Sequence, residues 1–300
     1  MDHSRRRALL SARGPLLAAF AYPAATADPL TLSEAGTRWV AAHPLVRYSV
    51  AVQAHPYCFL EGARPSGIVV DMLGLIAQQA GLSLQYVPKR TPEQALDALA
   101  AGEVSVVPYL RMNVEQAAEF RFTRPVARVT LGIFSRFDSP YIDGLDDLGG
   151  RRVGVPAGTH GTFSQAKPAV RFVEFSPVDR LVHALWNKEV DAIVGPVPSV
   201  LFEVKRQRAM DLVTLQTVLG TKVPFAMACA RSAAPLVEIL DHGLDRILSH
   251  ERREIAEHYA QRDRGSAFRL SSVEALLAVS AMVTGIAAVW ARRAGLFRRD

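Results

Sequence analysis

Few side chains in this 300-residue chain stand where they could do chemistry. The eight histidines are scattered, and no nucleophile elbow, phosphate-binding loop, dinucleotide fingerprint or metal-spaced His or Cys pair occurs. His55 and His160 are the pair worth following, because one cleft holding both would have an acid and a base. Tyr57 follows His55 in the loop His55-Pro-Tyr-Cys-Phe-Leu-Glu-Gly62, whose aromatics either line a site or plug the core. His160 stands in the glycine-punctuated loop Ala157-Gly-Thr-His-Gly161. Between the two, Tyr109 and Arg111 fall in Val104-Ser-Val-Val-Pro-Tyr-Leu-Arg-Met-Asn113, where a short apolar run passes into a polar turn. Cys58 and Cys229 can bond only with their Cα atoms within about 7 Å, so two buried thiols are the default expectation.

The elements that must position these residues read as alternating strands and helices. Val104 to Val107 is β-branched, lacks alternation and follows a helix that stops at Gly102, as a buried parallel strand does. Asn113 with Gln116 three residues later marks a helix start, and in open α/β sheets ligands bind at the carboxyl ends of strands. Upstream, the spacing predicts a helix over Leu32 to His43, a strand over Arg47 to Val52, a helix over Ile68 to Ala80 closed by Gly81, and a strand over Leu84 to Val87. A further helix is predicted to open at Thr91-Pro-Glu-Gln94. The unit then recurs: Arg152 to Pro156 is a strand, Ser176-Pro-Val-Asp179 opens a helix, and Glu189 to Val194 repeats the pattern of Glu103 to Pro108. Two α/β lobes follow, with Arg128 to Ser135 and Val223 to Ala230 as the strands crossing between them. Leu236 to Tyr259 reads as a helical region that docks back on the first lobe.

Charge separates this body from its ends. Residues 1–27 carry +3 and residues 292–300 another +3, which exhausts the net +6 of the chain and leaves the body neutral. No basic groove is indicated, and no nucleic-acid partner is expected. The basic start, the apolar run from Pro15 to Ala21 and the small residues Ala25-Thr-Ala27 have the layout of a signal peptide. Ala275 to Ala291 is uncharged for 17 residues, and four arginines follow it. This meets the minimum for a membrane span and puts the C-terminus in the cytoplasm. The expected organisation is therefore a signal peptide at 1–27, an N-terminal helix within 28–43, one lobe from 44–130 and 223–262, a second from 131–222, a linker at 263–269, a transmembrane helix at 270–291 and a cytoplasmic tail at 292–300.

From about His43 to Gln261 the chain resembles the bacterial extracellular solute-binding proteins of family 3, the two-lobed Venus-flytrap domains of amino-acid uptake systems and sensor kinases. The resemblance rests on Leu45-Val-Arg-Tyr-Ser-Val-Ala-Val52, Pro56-Tyr57, Gly67-Ile-Val-Val-Asp71, Ala100-Ala-Gly-Glu-Val104, Phe122-Thr-Arg-Pro125, Val153-Gly-Val-Pro-Ala-Gly-Thr159 and Glu189-Val-Asp-Ala-Ile-Val194. Ala42-His-Pro44 and Phe122-Thr-Arg-Pro125 resemble the sensor-attached branch most. The resemblance implies an α/β, type II periplasmic-binding-protein fold, each lobe a mostly parallel sheet flanked by helices, with one transmembrane helix after it. It also implies a ligand site at Tyr57, Tyr109, Arg111, Gln116, Thr159, His160 and Pro196. Two of these depart from the family pattern: Gln116 stands where amino-acid binders place an Arg on the ligand carboxylate, and Pro196 where they place an Asp on the ammonium. Thr159, whose hydroxyl and N–H bind ligand oxygens in relatives, is retained. Loss of the Asp and gain of Arg111 point to an anionic ligand without an amino group, such as a small carboxylate. The implied protein is a membrane-tethered periplasmic sensor, without cofactor or metal, acting through the inner membrane or a partner. The alternative is a tethered substrate-binding protein of an ABC transporter. No enzymatic activity is expected, although some relatives of this fold are dehydratases.

Overall fold

The computed structural model describes residues 29–259, apart from 90, 158, 160–166, 168, 177 and 248–249. The signal peptide, linker, membrane span and tail expected from the sequence lie outside the described residues, as does His160. Among the described residues no helix is long and apolar enough to cross a membrane.

The chain opens with α1 (Glu34–Ala42), capped by the Ser33 hydroxyl, which accepts from the Gly36 N–H at 3.1 Å. Strand β1 (Leu45–Tyr48) leads through a loop to a small antiparallel hairpin, β2 (Phe59–Glu61) and β3 (Arg64–Ser66), and into α2 (Ile68–Gln79). Next come β4 (Ser83–Tyr86), α3 (Pro92–Ala100), β5 (Val106–Arg111), α4 (Val114–Glu119) and β6 (Arg121–Phe122). Strand β7 (Ala127–Arg136) carries the chain into β8 (Arg152–Pro156), β9 (Arg171–Phe175), α5 (Val178–Trp186), β10 (Ala192–Pro196) and α6 (Val197–Arg206). Strand β11 (Val213–Cys229) brings it back to α7 (Ala234–Arg246) and to α8, residues 250–259.

Nine strands form one sheet in the order β4-β1-β5-β11-β7-β10-β8-β9, with β6 beside β11. The two wings, β4-β1-β5 and β10-β8-β9, are parallel. Strands β7 and β11 join them by antiparallel pairing: Phe225 to Cys229 pairs with β5, and Val213 to Phe225 pairs with β7. Each wing has its own core. In the first, Leu73, Ile76, Leu99, Val106 and Met227 are all but fully buried, and each contributes about 1.5–3 kcal/mol by leaving water. In the second, successive residues of β10 face opposite ways, Ile193 into one cluster and Ala192 and Val194 into another, as period-two alternation requires. Helix α7 and the Ile247 that follows it bury one stripe, Leu236, Ile239, Leu240, Gly243, Leu244 and Ile247, on the first wing. At Gly243 an added methyl would fall 2.4 Å from Ile76 Cγ2, so glycine sets this close approach.

Several expectations shift. The first strand ends at Tyr48 instead of Val52, and β10 begins at Ala192 instead of Glu189. The helical region after Leu236 is two helices, broken where Ile247 turns extended. Strand β11 starts ten residues before Val223, and the loop after His55 contains the β2–β3 hairpin. The largest correction is at β5, which runs from Val106 through Pro108 to Arg111, where a polar turn was predicted. Pro108 has no N–H for a ladder bond. Val107 pairs with Ala228 and Leu110 with Ala226, so Pro108 and Tyr109 together oppose Met227 in a bulge. The Met227 backbone is then taken by Thr123: its N–H donates to the Thr123 hydroxyl at 3.2 Å, and its carbonyl accepts from the Thr123 N–H at 3.0 Å. Next to Thr123, the Arg124 N–H donates to Asp241 Oδ1 at 2.8 Å, and its guanidinium reaches Asp245 at 2.6 Å, tying the Phe122-Thr-Arg-Pro125 segment to α7. Cys58 and Cys229 are buried, free thiols.

Candidate functional site

The bulge in β5 turns Tyr109 into an aromatic stack. Its ring lies parallel to Phe225 of β11 at 4.3 Å and to Tyr57 at 5.4 Å. Tyr57 is held by the start of α2: the Val69 N–H donates to the Tyr57 carbonyl at 2.9 Å and the Ile68 N–H to the Pro56 carbonyl at 3.0 Å. Tyr109 is 1% exposed, and its hydroxyl has no hydrogen-bond partner among the described residues. Burial raises its pKa well above the usual phenol value. A buried hydroxyl left unsatisfied is costly, so Tyr109→Phe should leave the thermal midpoint unchanged or raise it, by up to about 1 kcal/mol of stability. A fall of several degrees in a melting experiment would instead reveal a partner for the hydroxyl.

Arg111 ends β5, opposite Phe225, and is half-buried. Burial lowers its pKa, while the charges of Glu115 on α4 and Glu174 on β9 act to raise it. The guanidinium thus feels the charge of an acidic residue from each wing. Gln116 starts α4 as the sequence predicts, its N–H donating to Asn113 Oδ1 at 2.7 Å, and its own side-chain oxygen is buried with no partner among the described residues. Thr159 behaves differently from the family pattern. Its hydroxyl and its N–H both donate to the Pro156 carbonyl, which closes a turn and occupies the two donors. Pro196 ends β10, buried and opposite Leu131 of β7. The structure thus gathers Tyr57 and Tyr109 in one stack, places Arg111 and Gln116 beyond it at the strand end, and puts Thr159 and Pro196 on the other wing. His160, expected in the ligand site and weighed with His55 as an acid and base, lies outside the described residues.

A second constellation, missed in the sequence, bridges the wings. The His55 ring is stacked between Phe59 at 3.8 Å and Phe202 of α6 at 3.9 Å. Its carbonyl accepts from the Ser199 hydroxyl at 2.7 Å, and its Nδ1 lies 3.6 Å from Glu203 Oε1. His55, Ser199 and Glu203, with Gln53, Leu60, Val178, Asp179 and Arg206, line a cavity of about 280 Å³, and none of the expected site residues among the described ones is in its lining. Ser199, Phe202 and Glu203 share a helix face at i, i+3 and i+4, the signal that could have found them. Glu203 is buried and takes a hydrogen bond from Arg206 Nε at 2.7 Å. At His55 burial, and then the Arg206 charge, lower the pKa to about 4.

A histidine near 4 when folded and near 6.5 when unfolded binds fewer protons in the native state between those values. Stability from this group is complete above about pH 6.5 and is lost as pH falls toward 4, on the order of 1–2 kcal/mol by pH 5. Glu203, whose pKa burial raises, works in the opposite direction. The comparison is therefore between proteins: the wild type should lose more thermal stability from pH 7 to pH 5 than His55→Asn. Equal losses would show that His55 is not held neutral.

Residues 46–262 match the family model of the bacterial extracellular solute-binding proteins, family 3. Among curated proteins, the virulence sensor protein BvgS of Bordetella bronchiseptica is 25% identical over 229 residues, 75% of this chain and 18% of the relative. BvgS of Bordetella pertussis is 24% identical over 247 residues, 81% of this chain and 19% of the relative. The chain spans about a fifth of the length of the curated relatives it matches. Similar folds among solved structures include the Bordetella pertussis BvgS periplasmic VFT2 domain, with TM-score 0.69 and 22% identity over 76% of this chain and 99% of that one. They also include a histidine kinase sensor domain with similarity to periplasmic binding proteins, with TM-score 0.67 and 21% identity over 72% and 96%. An ancestral arginine-binding protein bound to arginine follows, with TM-score 0.64 and 21% identity over 72% and 98%.

Proposed function

Since the chain belongs to the bacterial extracellular solute-binding proteins of family 3, we propose that it is a membrane-tethered periplasmic sensor that closes its lobes on a small anionic ligand. The ligand is bound and not turned over, and the change passes through α7 and α8 to the membrane or to a partner protein. Support for a sensor comes from the relatives, which include virulence sensors and a kinase sensor domain. The observation that carries the ligand class is Arg111: a half-buried guanidinium at the carboxyl end of β5, beside the Tyr57–Tyr109 stack, with neutral Gln116 and Pro196 where amino-acid binders carry charge. A carboxylate there would gain a two-pronged, charge-assisted partner in the guanidinium against the opposing charges of Glu115 and Glu174.

Titration calorimetry against a panel of small carboxylates and amino acids tests this reading. Binding of carboxylates without an amino group is expected; binding of zwitterionic amino acids alone would restore the ordinary family ligand. Arginine-binding proteins share the fold, so the transporter role stays as the second reading, and an uptake defect on deletion would favour it. For the tether, a periplasm-active reporter fused after Gln261 should be active and the same reporter after Asp300 silent, because Arg292 and Arg293 hold the tail inside. Activity at both positions would remove the membrane span from the proposal.

A further inference from the structure

The small β2–β3 hairpin lies outside the nine-stranded sheet. A two-stranded hairpin is marginal on its own, so its position is set by what packs on either side of it. On one side is the His55 sandwich, which reaches Phe202 and Ser199 of α6 in the second lobe. On the other is α8. Tyr259, at the end of that helix, meets Phe59 edge-on with ring centroids 6.0 Å apart. Its hydroxyl donates to Asp71 Oδ2 at 2.8 Å, accepts from the Gly67 N–H at 2.9 Å and lies 3.3 Å from the Ser66 hydroxyl. Four rings thus run in unbroken contact from α6 through His55 and Phe59 to the last described residue of the chain.

We propose that this row of rings makes the hairpin a coupling element, so that contact between the lobes and docking of α8 on the first lobe stabilise one another. When Phe202 and Ser199 hold the His55 loop, Phe59 is held against Tyr259; when the lobes part, Phe59 loses the stack behind it and α8 loses part of its seat. Linkage of this kind is reciprocal, so displacing Tyr259 must weaken lobe contact by the same factor. The inference rests on the two-lobed fold and these contacts, and it is independent of which ligand binds.

The test uses the full chain carrying spin labels at Glu93→Cys on α3 and His183→Cys on α5, both exposed positions, with amide exchange read over residues 250–259. Phe202→Ala lies in the far lobe, yet it should lengthen the inter-lobe distance and speed exchange in 250–259 about tenfold. Phe202→Leu, which keeps an apolar side chain without the ring, should do the same more weakly. Tyr259→Phe keeps its ring, loses its hydrogen bonds and should shift the distance distribution toward the longer form, and the double variant should fall short of the sum of the singles. Unchanged exchange in α3 reports that the fold is intact. The proposal is overturned if Phe202→Ala parts the lobes and leaves 250–259 unchanged, if it leaves the distance unchanged, or if the two effects add.

Discussion

Arg111→Ala is expected to weaken binding of a small carboxylate by about 2–5 kcal/mol, roughly thirtyfold to several thousandfold in Kd. The size follows from what the truncation leaves behind. With the guanidinium gone, the ligand's charge would lose its partner at this half-buried position and keep the repulsion of Glu115 and Glu174. An exposed ion pair at the same place would be worth under about 1 kcal/mol, so calorimetry separates the two cases. Arg111→Lys should fall between, because an ammonium keeps the charge and loses the planar fork of donors. Binding that is indifferent to both substitutions would place the ligand away from the end of β5.

The second large effect is structural. Gly67→Ala should cost about 3–5 kcal/mol and lower the thermal midpoint by roughly 6–15 °C. Gly67 has φ +122, a conformation closed to residues with a Cβ, and the added methyl would lie 2.5 Å from the Tyr57 carbonyl oxygen and 2.7 Å from its carbon. Both are backbone atoms of the loop that presents Tyr57, so neither can rotate aside. Gly62 is the control: its φ is +65, but nothing lies within 4 Å, and Gly62→Ala should cost only about 1–2 kcal/mol of left-handed strain. Thermal unfolding of the two variants side by side decides the matter, and equal midpoints would mean that the Tyr57 loop is not seated on Gly67.

What the sequence disclosed was whatever is determined within a few residues. The starts of α3 and α4 are capped as read, Thr91 accepting from the Gln94 N–H at 3.2 Å and Asn113 from the Gln116 N–H, because a cap is a contract between neighbours. The α7 stripe was equally legible, since helical periodicity names the buried face without naming its partner. Strand β5 was cut short because Pro108 is a local veto on a ladder. The bulge that lifts the veto depends on Met227 and Thr123, which come from two other segments. The first part of β11 mixes Thr214, Gln216 and Thr217 with Val213, Leu215 and Val218, a weak strand signal, and it is β7 that pairs alongside it. At the site the same division holds. Arg111 was legible as a residue, but Glu174, whose charge acts on it, belongs to the other lobe. Thr159 was carried over for its donors, and the turn that occupies them was not visible. His55 was weighed only with His160 as an acid and base, whereas its stacked partner Phe202 lies on a helix the periodicity had not brought forward.

The two cysteines give the first lobe a clock. Burial pushes the Cys58 thiol up to about 12 and raises Cys229 further, so almost no thiolate, the species that attacks an alkylating reagent, exists at neutral pH while the core is shut. Alkylation then waits on each opening of the core, after which the thiol returns toward its ordinary acidity. The slow incorporation of a mass tag at Cys58, just before β2, and at Cys229, at the end of β11, counts those openings at two points of one core, and it does so in the unaltered chain.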